Sequence, residues 1–304
     1  MAIDPILQQV LAAVPFPRIA DLGPQGTRDA IRQALAALPP PAPLPRVEDR
    51  KIIDDIPVRI YWPVAEPEDL PVVVFYHGGG FVVGDLDSHD GLARAIVTGV
   101  GAVVVAVDYR LAPEAPFPAA VDDAFAALRW VAQNAAELGV DPARLAVAGD
   151  SAGGNLSAVV AQLARDAGGP PIKFQLLWYP ATTMDMTLPS VVENAEAPVL
   201  SVGDMETFLG FYAGSPGPEP VPATLAPANA ENLEGLPPAY IATAQYDPLR
   251  DDGARYAELL DKAGVPVRLH NAETLVHGYT MFAGMVPAAS EALNQALAAL
   301  KEAL

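Results

Sequence analysis

The stretch Gly149-Asp150-Ser151-Ala152-Gly153 decides how this chain reads. It closes an apolar run, Leu145-Ala146-Val147-Ala148, and a helix-favouring stretch from Leu156 to Asp166 follows it. Strand, tight turn and helix are what a nucleophile elbow needs, because the turn lifts the serine hydroxyl clear of the strand tip. The flanking glycines remove side chains that would clash in so strained a turn. Upstream, His77-Gly78-Gly79-Gly80 follows a second apolar run, Val72-Val73-Val74-Phe75-Tyr76. Without a Cβ, a glycine backbone N–H can come close to a substrate oxygen. One motif offers a nucleophile and the other an oxyanion hole, and together they point to acyl transfer.

The composition agrees with a folded enzyme. The chain has 304 residues, of which 51% are hydrophobic and 18% charged, enough for a substantial core and against disorder. A formal net charge of -19 repels nucleic acid and anionic membranes and favours neutral small-molecule partners. There are no cysteines, which excludes disulfides, thiolate catalysis and cysteine zinc sites. The segment Met1–Pro17 carries Asp4 and no basic residue before its apolar positions, so it does not read as a secretory signal. No stretch approaches the roughly 18 apolar residues of a membrane helix. The expectation is a cytoplasmic protein without stable membrane insertion.

Residues 1–45 read as an N-terminal cap segment, with helical patterns at Ile6–Ala13 and Arg28–Leu38 ahead of the run Pro39-Pro40-Pro41. From residue 46 to 304 the pattern is that of one catalytic domain. Strands are expected at Val58–Trp62, Val72–Tyr76, Ala102–Val107, Leu145–Ala148, Phe174–Trp178, Ala239–Ala242 and Val265–His270. Helices are expected at His89–Val97, Ala119–Leu138, Asn155–Asp166, Asp251–Ala263 and Pro287–Leu304. Uniformly apolar strands alternating with helices imply an α/β fold, a mostly parallel sheet covered on both faces. The stretch from about 181 to 225 interrupts this alternation and reads as a cap insertion, with a helix at Asp204–Tyr212.

A serine nucleophile needs a base and an acid that orients it, in the chain order Ser, acid, His. Only His270 and His277 follow Ser151. His270 ends a strand pattern, whereas His277 lies in a loop beyond it, where a base belongs. Asp247 is the first acid after the Ala239 strand, and Pro248 helps to turn the chain there. Asp251 and Asp252 stand at a helix start, where capping accounts for them. Gly78, Gly79 and Ala152 are the expected backbone donors of the oxyanion hole. His77 reads as a hydrogen-bonding support for the glycine loop, and Asp108-Tyr109-Arg110-Leu111-Ala112-Pro113-Glu114 as an ion-paired loop propping the site. Asp150 is open to two readings, contact with a substrate oxygen or bonding to backbone within the elbow. Phe208, Phe211 and Tyr212 recur at helical spacing and are candidates either for a pocket lining or for the core of the cap.

Taken in order, these motifs resemble the hormone-sensitive lipase family of microbial esterases (family IV) of the α/β-hydrolase superfamily. The matching elements are His77-Gly78-Gly79-Gly80-Phe81 with Gly84-Asp85, the Asp108–Glu114 segment, Gly149-Asp150-Ser151-Ala152-Gly153-Gly154, and Asp247-Pro248-Leu249 with His277-Gly278. The resemblance spans about residues 45–304. It implies Ser151, Asp247 and His277 as triad, a helical cap, short- to medium-chain acyl esters as substrates, and no metal or other cofactor. Some members pair as dimers through the last strand region, so the resemblance admits a homodimer. Tyr279 stands where members often carry Phe, which adds a hydroxyl near the pocket.

The expected activity is that of a serine carboxylesterase. An amidase, deacetylase or acyltransferase would use the same triad through the same acyl-enzyme. A ligand-binding receptor on this scaffold is the rival from another class, and the presence of His277 weighs against it.

Overall fold

The apolar runs alternate sides. Val72, Val74 and Tyr76 pack into one core layer while Val73 and Phe75 pack into another, and all five are fully buried. A strand whose two faces are both apolar must be covered on both, and helices supply the cover. The computed structural model describes residues 2–13, 16, 18–37, 39–215 and 217–304. Its elements run α1 (Pro5–Ala13), α2 (Ile19–Ala36), β1 (Arg46–Lys51), β2 (Pro57–Trp62), β3 (Leu70–Tyr76), α3 (Asp90–Val100), β4 (Val103–Val107), α4 (Ala119–Gln133), α5 (Ala135–Leu138) and β5 (Val140–Asp150). They continue with α6 (Ala152–Asp166), β6 (Phe174–Trp178), α7 (Pro189–Glu193), α8 (Val202–Ala213), β7 (Ala239–Tyr246), α9 (Arg250–Lys262), β8 (Val267–Val276) and α10 (Pro287–Ala303).

Among the described residues the strands form one sheet in the order β1-β2-β4-β3-β5-β6-β7-β8. Strands β3 to β8 run parallel, and β1 and β2 complete one side in antiparallel fashion. Helices α4 and α6 cover one face, α3 and α10 the other, and α9 closes a third cluster with β6 and β7. Outside these layers lie α1 and α2, and the stretch that carries α7 and α8; α2 packs against α8.

The differences from the sequence expectation have local causes. Strand β1, Arg-Val-Glu-Asp-Arg-Lys, carries too many charges to read as a strand, yet as a sheet edge it has only to half-bury alternate residues and leaves the others exposed. Helix α2 starts at Ile19 instead of Arg28, because a short helical turn precedes a kink at Gly23, non-helical at φ +65°, and Pro24. Its expected end at Leu38 lies outside the described residues. Asn134 divides the expected Ala119–Leu138 helix into α4 and α5.

Glycines set the spacing at the centre of the sheet. Strands β3 and β5 are neighbours, with Tyr76 beside Gly149. A Cβ at Gly153 would land on the carbonyl of Tyr76, and one at Gly149 on the carbonyl of Gly153. Gly91, in the first turn of α3, has nothing within 4 Å of a built Cβ. Gly153→Ala should therefore destabilise by about 3 kcal/mol or more, as backbone must move. Gly91→Ala should stabilise by about 0.5–1 kcal/mol, since alanine restricts the unfolded chain and favours helix. Chemical unfolding of the two variants checks both signs.

Candidate active site

The C-terminal ends of β3, β5, β7 and β8 converge, and each delivers one part of the site. Ser151 follows β5 with φ +54° and ψ -115°, a region costly for a residue with a Cβ, about 1–3 kcal/mol. The strain is held by the Ser151 N–H donating to Trp178 O (2.8 Å) and by helix α6 beginning at once behind it. His277 follows β8 and Asp247 follows β7. Nε2 of His277 lies 2.9 Å from Ser151 Oγ, and Nδ1 lies 2.8 Å from Asp247 Oδ2. A carboxylate only accepts, so Nδ1 carries the proton and Nε2 presents its lone pair to the serine hydroxyl. Asp247 is fully buried, and its other oxygen accepts the Leu249 N–H at 2.8 Å. His270 lies mid-strand in β8, paired with Ala242, and not in the loop that carries His277.

The glycine loop follows from the planarity of the peptide. In a trans peptide the C=O and the N–H point in opposite directions, so gripping one aims the other. The Gly78 carbonyl accepts from Nδ1 of His77 at 2.7 Å, which turns the N–H of Gly79 the other way. The Gly79 carbonyl accepts from Val82 N (3.1 Å) and Val83 N (2.9 Å), which aims the N–H of Gly80 in turn. The Ser151 carbonyl accepts from Asn155 N at 3.0 Å, and the N–H of Ala152 is the first of α6. No hydrogen bond among the described residues engages the N–H of Gly79, Gly80 or Ala152.

Gly78 departs from the expectation. It is buried, and its N–H donates to Asp150 Oδ1 at 3.0 Å, so it is not available to a substrate. Gly80 has the free donor instead. Three consecutive glycines signalled a loop without telling which two N–H groups would be open. Asp150 is likewise turned inward: it is 6% exposed and lies against Gly78 and His89, which leaves it no approach to a substrate oxygen. Burial by itself would raise its carboxyl, but the neighbouring histidines, His89 foremost with His77 and His277, outweigh this and hold it below the usual carboxylate range.

His77 is the loop's support. Its ring stacks on Tyr109 (centroids 4.3 Å apart), whose hydroxyl donates to the His77 carbonyl at 2.7 Å. A proton on Nδ1 bonds Gly78, while Nε2 is buried with no partner among the described residues. Burial pushes this imidazole down to about 4, so it stays neutral. The Tyr109 segment is anchored by Arg110, which donates to both oxygens of the buried Asp123. Arg28 of α2 ties Glu114 and the carbonyls of Val82 and Ala112 together.

The three aromatics of α8 divide. Tyr212 is buried and stacks on Phe81 (3.9 Å, 7° between planes), so it belongs to the packing of α8 and not to a pocket wall. Phe208 is half-buried and lies directly over Gly80, where any side chain at 80 would meet its ring. Phe211 is half-buried against the same core layer. Tyr279 is fully buried edge-on to Tyr179 (5.2 Å), so its hydroxyl faces the core beneath the His277 loop. Asp251 and Asp252 do not cap α9. Asp252 accepts from the N–H groups of Thr182 and Thr183, both at 2.8 Å, and Asp251 accepts from Ser190 N at 2.8 Å. They fasten the 181–225 stretch to the sheet domain. Desolvation, with the Asp247 charge nearby, pushes Asp252 up to about 6 despite those bonds.

A serine on a strand-to-helix turn, an imidazole and a carboxylate from successive strands, and a glycine loop beside them at the C-terminal edge of a parallel sheet define an α/β-hydrolase. Residues 73–281 match the family described by the alpha/beta hydrolase fold, and the chain belongs to it, in the branch resembling hormone-sensitive lipase. It is 56% identical over 313 residues to the carboxylesterase NlhH of Mycobacterium tuberculosis, covering 99% of this chain and 96% of that protein. It is 57% identical to the esterase LipI of the same organism, covering 100% and 96%. The crystal structure of a hyperthermophilic esterase from Pyrobaculum calidifontis superposes with a TM-score of 0.89 at 39% identity, covering 99% of each chain.

Two buried groups give opposite pH signatures. His77 titrates lower in the folded chain than in the unfolded one, so the unfolded chain binds the extra proton first. Its contribution falls as pH drops from about 6.5 to about 4, by on the order of 3 kcal/mol. Asp252 titrates higher when folded, so its penalty is present at neutral pH and is relieved as pH falls through about 6. Urea unfolding of wild type and His77→Gln between pH 7 and 4 should show the wild type losing more stability. Against Asp252→Asn over the same range, the wild type should gain.

Proposed function

We propose that this carboxylic ester hydrolase works through an acyl-enzyme on Ser151, with His277 as base and Asp247 as the group that orients it. The observation that carries the reading is the continuous chain of contacts, Ser151 Oγ to His277 Nε2 at 2.9 Å and His277 Nδ1 to Asp247 Oδ2 at 2.8 Å. The Ser151 hydroxyl attacks the ester carbonyl as Nε2 takes its proton. Asp247 keeps the proton on Nδ1 and stabilises the imidazolium without accepting the proton itself. The developing oxyanion is received by the N–H groups of Gly79, Gly80 and Ala152. The last begins helix α6, whose dipole favours negative charge there. His277 then protonates the leaving alcohol, and afterwards activates the water that releases the acid.

Helices α1 and α2 together with the 181–225 stretch act as the cap over this site. Phe208, lying over Gly80, bounds the space beside the oxyanion loop and favours short- to medium-chain acyl groups. The relatives named carboxylesterase and esterase, at 56% and 57% identity over nearly the full chain, support the same reaction class.

The test is hydrolysis of p-nitrophenyl esters from acetate to palmitate. Wild type should turn over with its maximum among the short and medium chains. Ser151→Ala should lose on the order of a millionfold in kcat, and Asp247→Asn about 10⁴-fold through the wrong imidazole tautomer. No turnover by a folded wild type would sink the reading, and a maximum at palmitate would remove the acyl-length part of it.

A further inference from the structure

The strand order sets a problem that the triad alone does not solve. Ser151 leaves β5 and His277 leaves β8, with β6 and β7 between them. Neighbouring strands lie about 4.8 Å apart, so the two departures are separated by roughly 14 Å. The imidazole nevertheless stands 2.9 Å from Ser151 Oγ. His277 therefore reaches back over the ends of β7 and β6. Asp247 holds its ring by one hydrogen bond, at Nδ1. A single bond is a pivot, and a ring that swings about it takes Nε2 out of line with the serine.

Where the reach crosses β6 it meets Tyr179, the residue directly after that strand. Tyr179 is fully buried, and its ring lies T-shaped against that of His277, with centroids 4.8 Å apart and 61° between planes. Its hydroxyl shares a hydrogen bond of 2.5 Å with that of Thr280. Thr280 belongs to the short turn Tyr279–Phe282, two residues beyond His277. Tyr179 thus meets this loop at two points, ring against ring and hydroxyl against hydroxyl. Its own backbone is fixed as well. The Tyr179 N–H donates to Ala242 O of β7 at 2.5 Å. Its φ is +35°, a region that a residue with a Cβ keeps only when its surroundings impose it. The carbonyl just before it, Trp178 O, accepts the Ser151 N–H. Two adjacent residues at the end of β6 therefore hold the backbone of the nucleophile and the ring of the base. Burial, with the Asp150 charge nearby, lifts the Tyr179 phenol well above its ordinary range, so its hydroxyl keeps its proton.

Resting on the esterase reading above, we propose that Tyr179 is a positioning residue for His277: clasped to Thr280, it keeps the imidazole in line first with Ser151 Oγ and then with the oxygen of the leaving alcohol. Tyr179 itself takes and gives no proton in the reaction. Its effect lies on the proton transfers of the transition state and not on ground-state binding.

The test removes the clasp from either end and varies the leaving group. Tyr179→Phe keeps the ring and loses the hydroxyl, Thr280→Val loses the other hydroxyl, and Thr280→Ser keeps it. The substrates are p-nitrophenyl butyrate and ethyl butyrate. A p-nitrophenolate leaves without a proton, whereas an ethoxide needs one from His277. Tyr179→Phe and Thr280→Val should each lower kcat/KM about 10-fold on the aryl ester and about 100-fold on the ethyl ester, with KM changed less than about threefold. The double variant should match either single one to within about twofold, because both remove the same bond. Thr280→Ser should stay within about twofold of wild type. Equal losses on the two esters, effects that multiply, or a Tyr179→Phe variant within about twofold of wild type would overturn the proposal. Urea unfolding checks that each variant folds; if Tyr179→Phe does not, Thr280→Val against Thr280→Ser reads the same bond with the same outcomes. Wild-type turnover of the aryl ester tests the esterase reading separately. Fluorophosphonate labelling of Ser151 needs the base but no leaving alcohol, so it reads the alignment of His277 without turnover and should slow about as much as the aryl ester does.

Discussion

The arrangement of this site depends on how closely two backbones approach. Gly149 and Gly153 let the β5 elbow lie against the end of β3, with the carbonyls of Tyr76 and His77 where a Cβ at 153 would be. That approach brings the turn after β5 beside the loop after β3, in register at Tyr76 and Gly149. An elbow serine and backbone donors from another strand can share one substrate carbonyl only if their strands are neighbours. The strand order, with β3 beside β5, meets that condition before any side chain is considered.

Around this approach the loop is built by gripping carbonyls. His77 holds the Gly78 oxygen, Val82 and Val83 hold that of Gly79, and Tyr109 holds that of His77. Each grip fixes a rigid plane, so donors with no side chain are oriented as firmly as side-chain donors would be. The supports come from distant parts of the chain. Tyr109 follows β4, Arg110 is tied to Asp123 of α4, and Arg28 reaches from α2 to the carbonyls of Val82 and Ala112. An N-terminal helix that reads as part of a cap segment in the sequence is thus hydrogen-bonded to the glycine loop.

Much of this is legible in the sequence because it is written in short spacings. Gly-x-Ser-x-Gly after an apolar run places the elbow, the valine runs place the parallel strands, and the order Ser, acid, His leaves few candidates. Long-range geometry is not written that way. Nothing local distinguishes the buried N–H of Gly78 from the open one of Gly80, since the difference is made by Asp150, 72 residues on. His89 carries no motif of its own, and it meets the Gly78 N–H only because α3 brings it there. Asp251 and Asp252 look like helix caps because they sit in a first turn, but the stretch that begins near 181 folds back onto them. Strand β1 is hidden by its charges, which an edge strand tolerates on its open side.

The expensive features of the molecule are concentrated at one edge of the sheet. Ser151 is strained, His77 is buried neutral with an unpartnered nitrogen, and the carboxyl groups of Asp150, Asp247 and Asp252 are buried within a few residues of the serine or of one another. The interior of the sheet shows the reverse, with the valines of β3 and β4 fully buried between helix layers. Apolar burial is worth roughly 1.5–3 kcal/mol for each such side chain. A few valines therefore offset a strained serine, but they cannot neutralise a buried charge, which requires a partner at contact distance. That difference is why the supports of this site are specific pairs, His77 with Gly78, His277 with Asp247 and Asp150 with Gly78, while the sheet below it is held by unspecific packing. Substitutions in the valine layers should act through stability alone, whereas those in the pairs act on the geometry presented to a substrate.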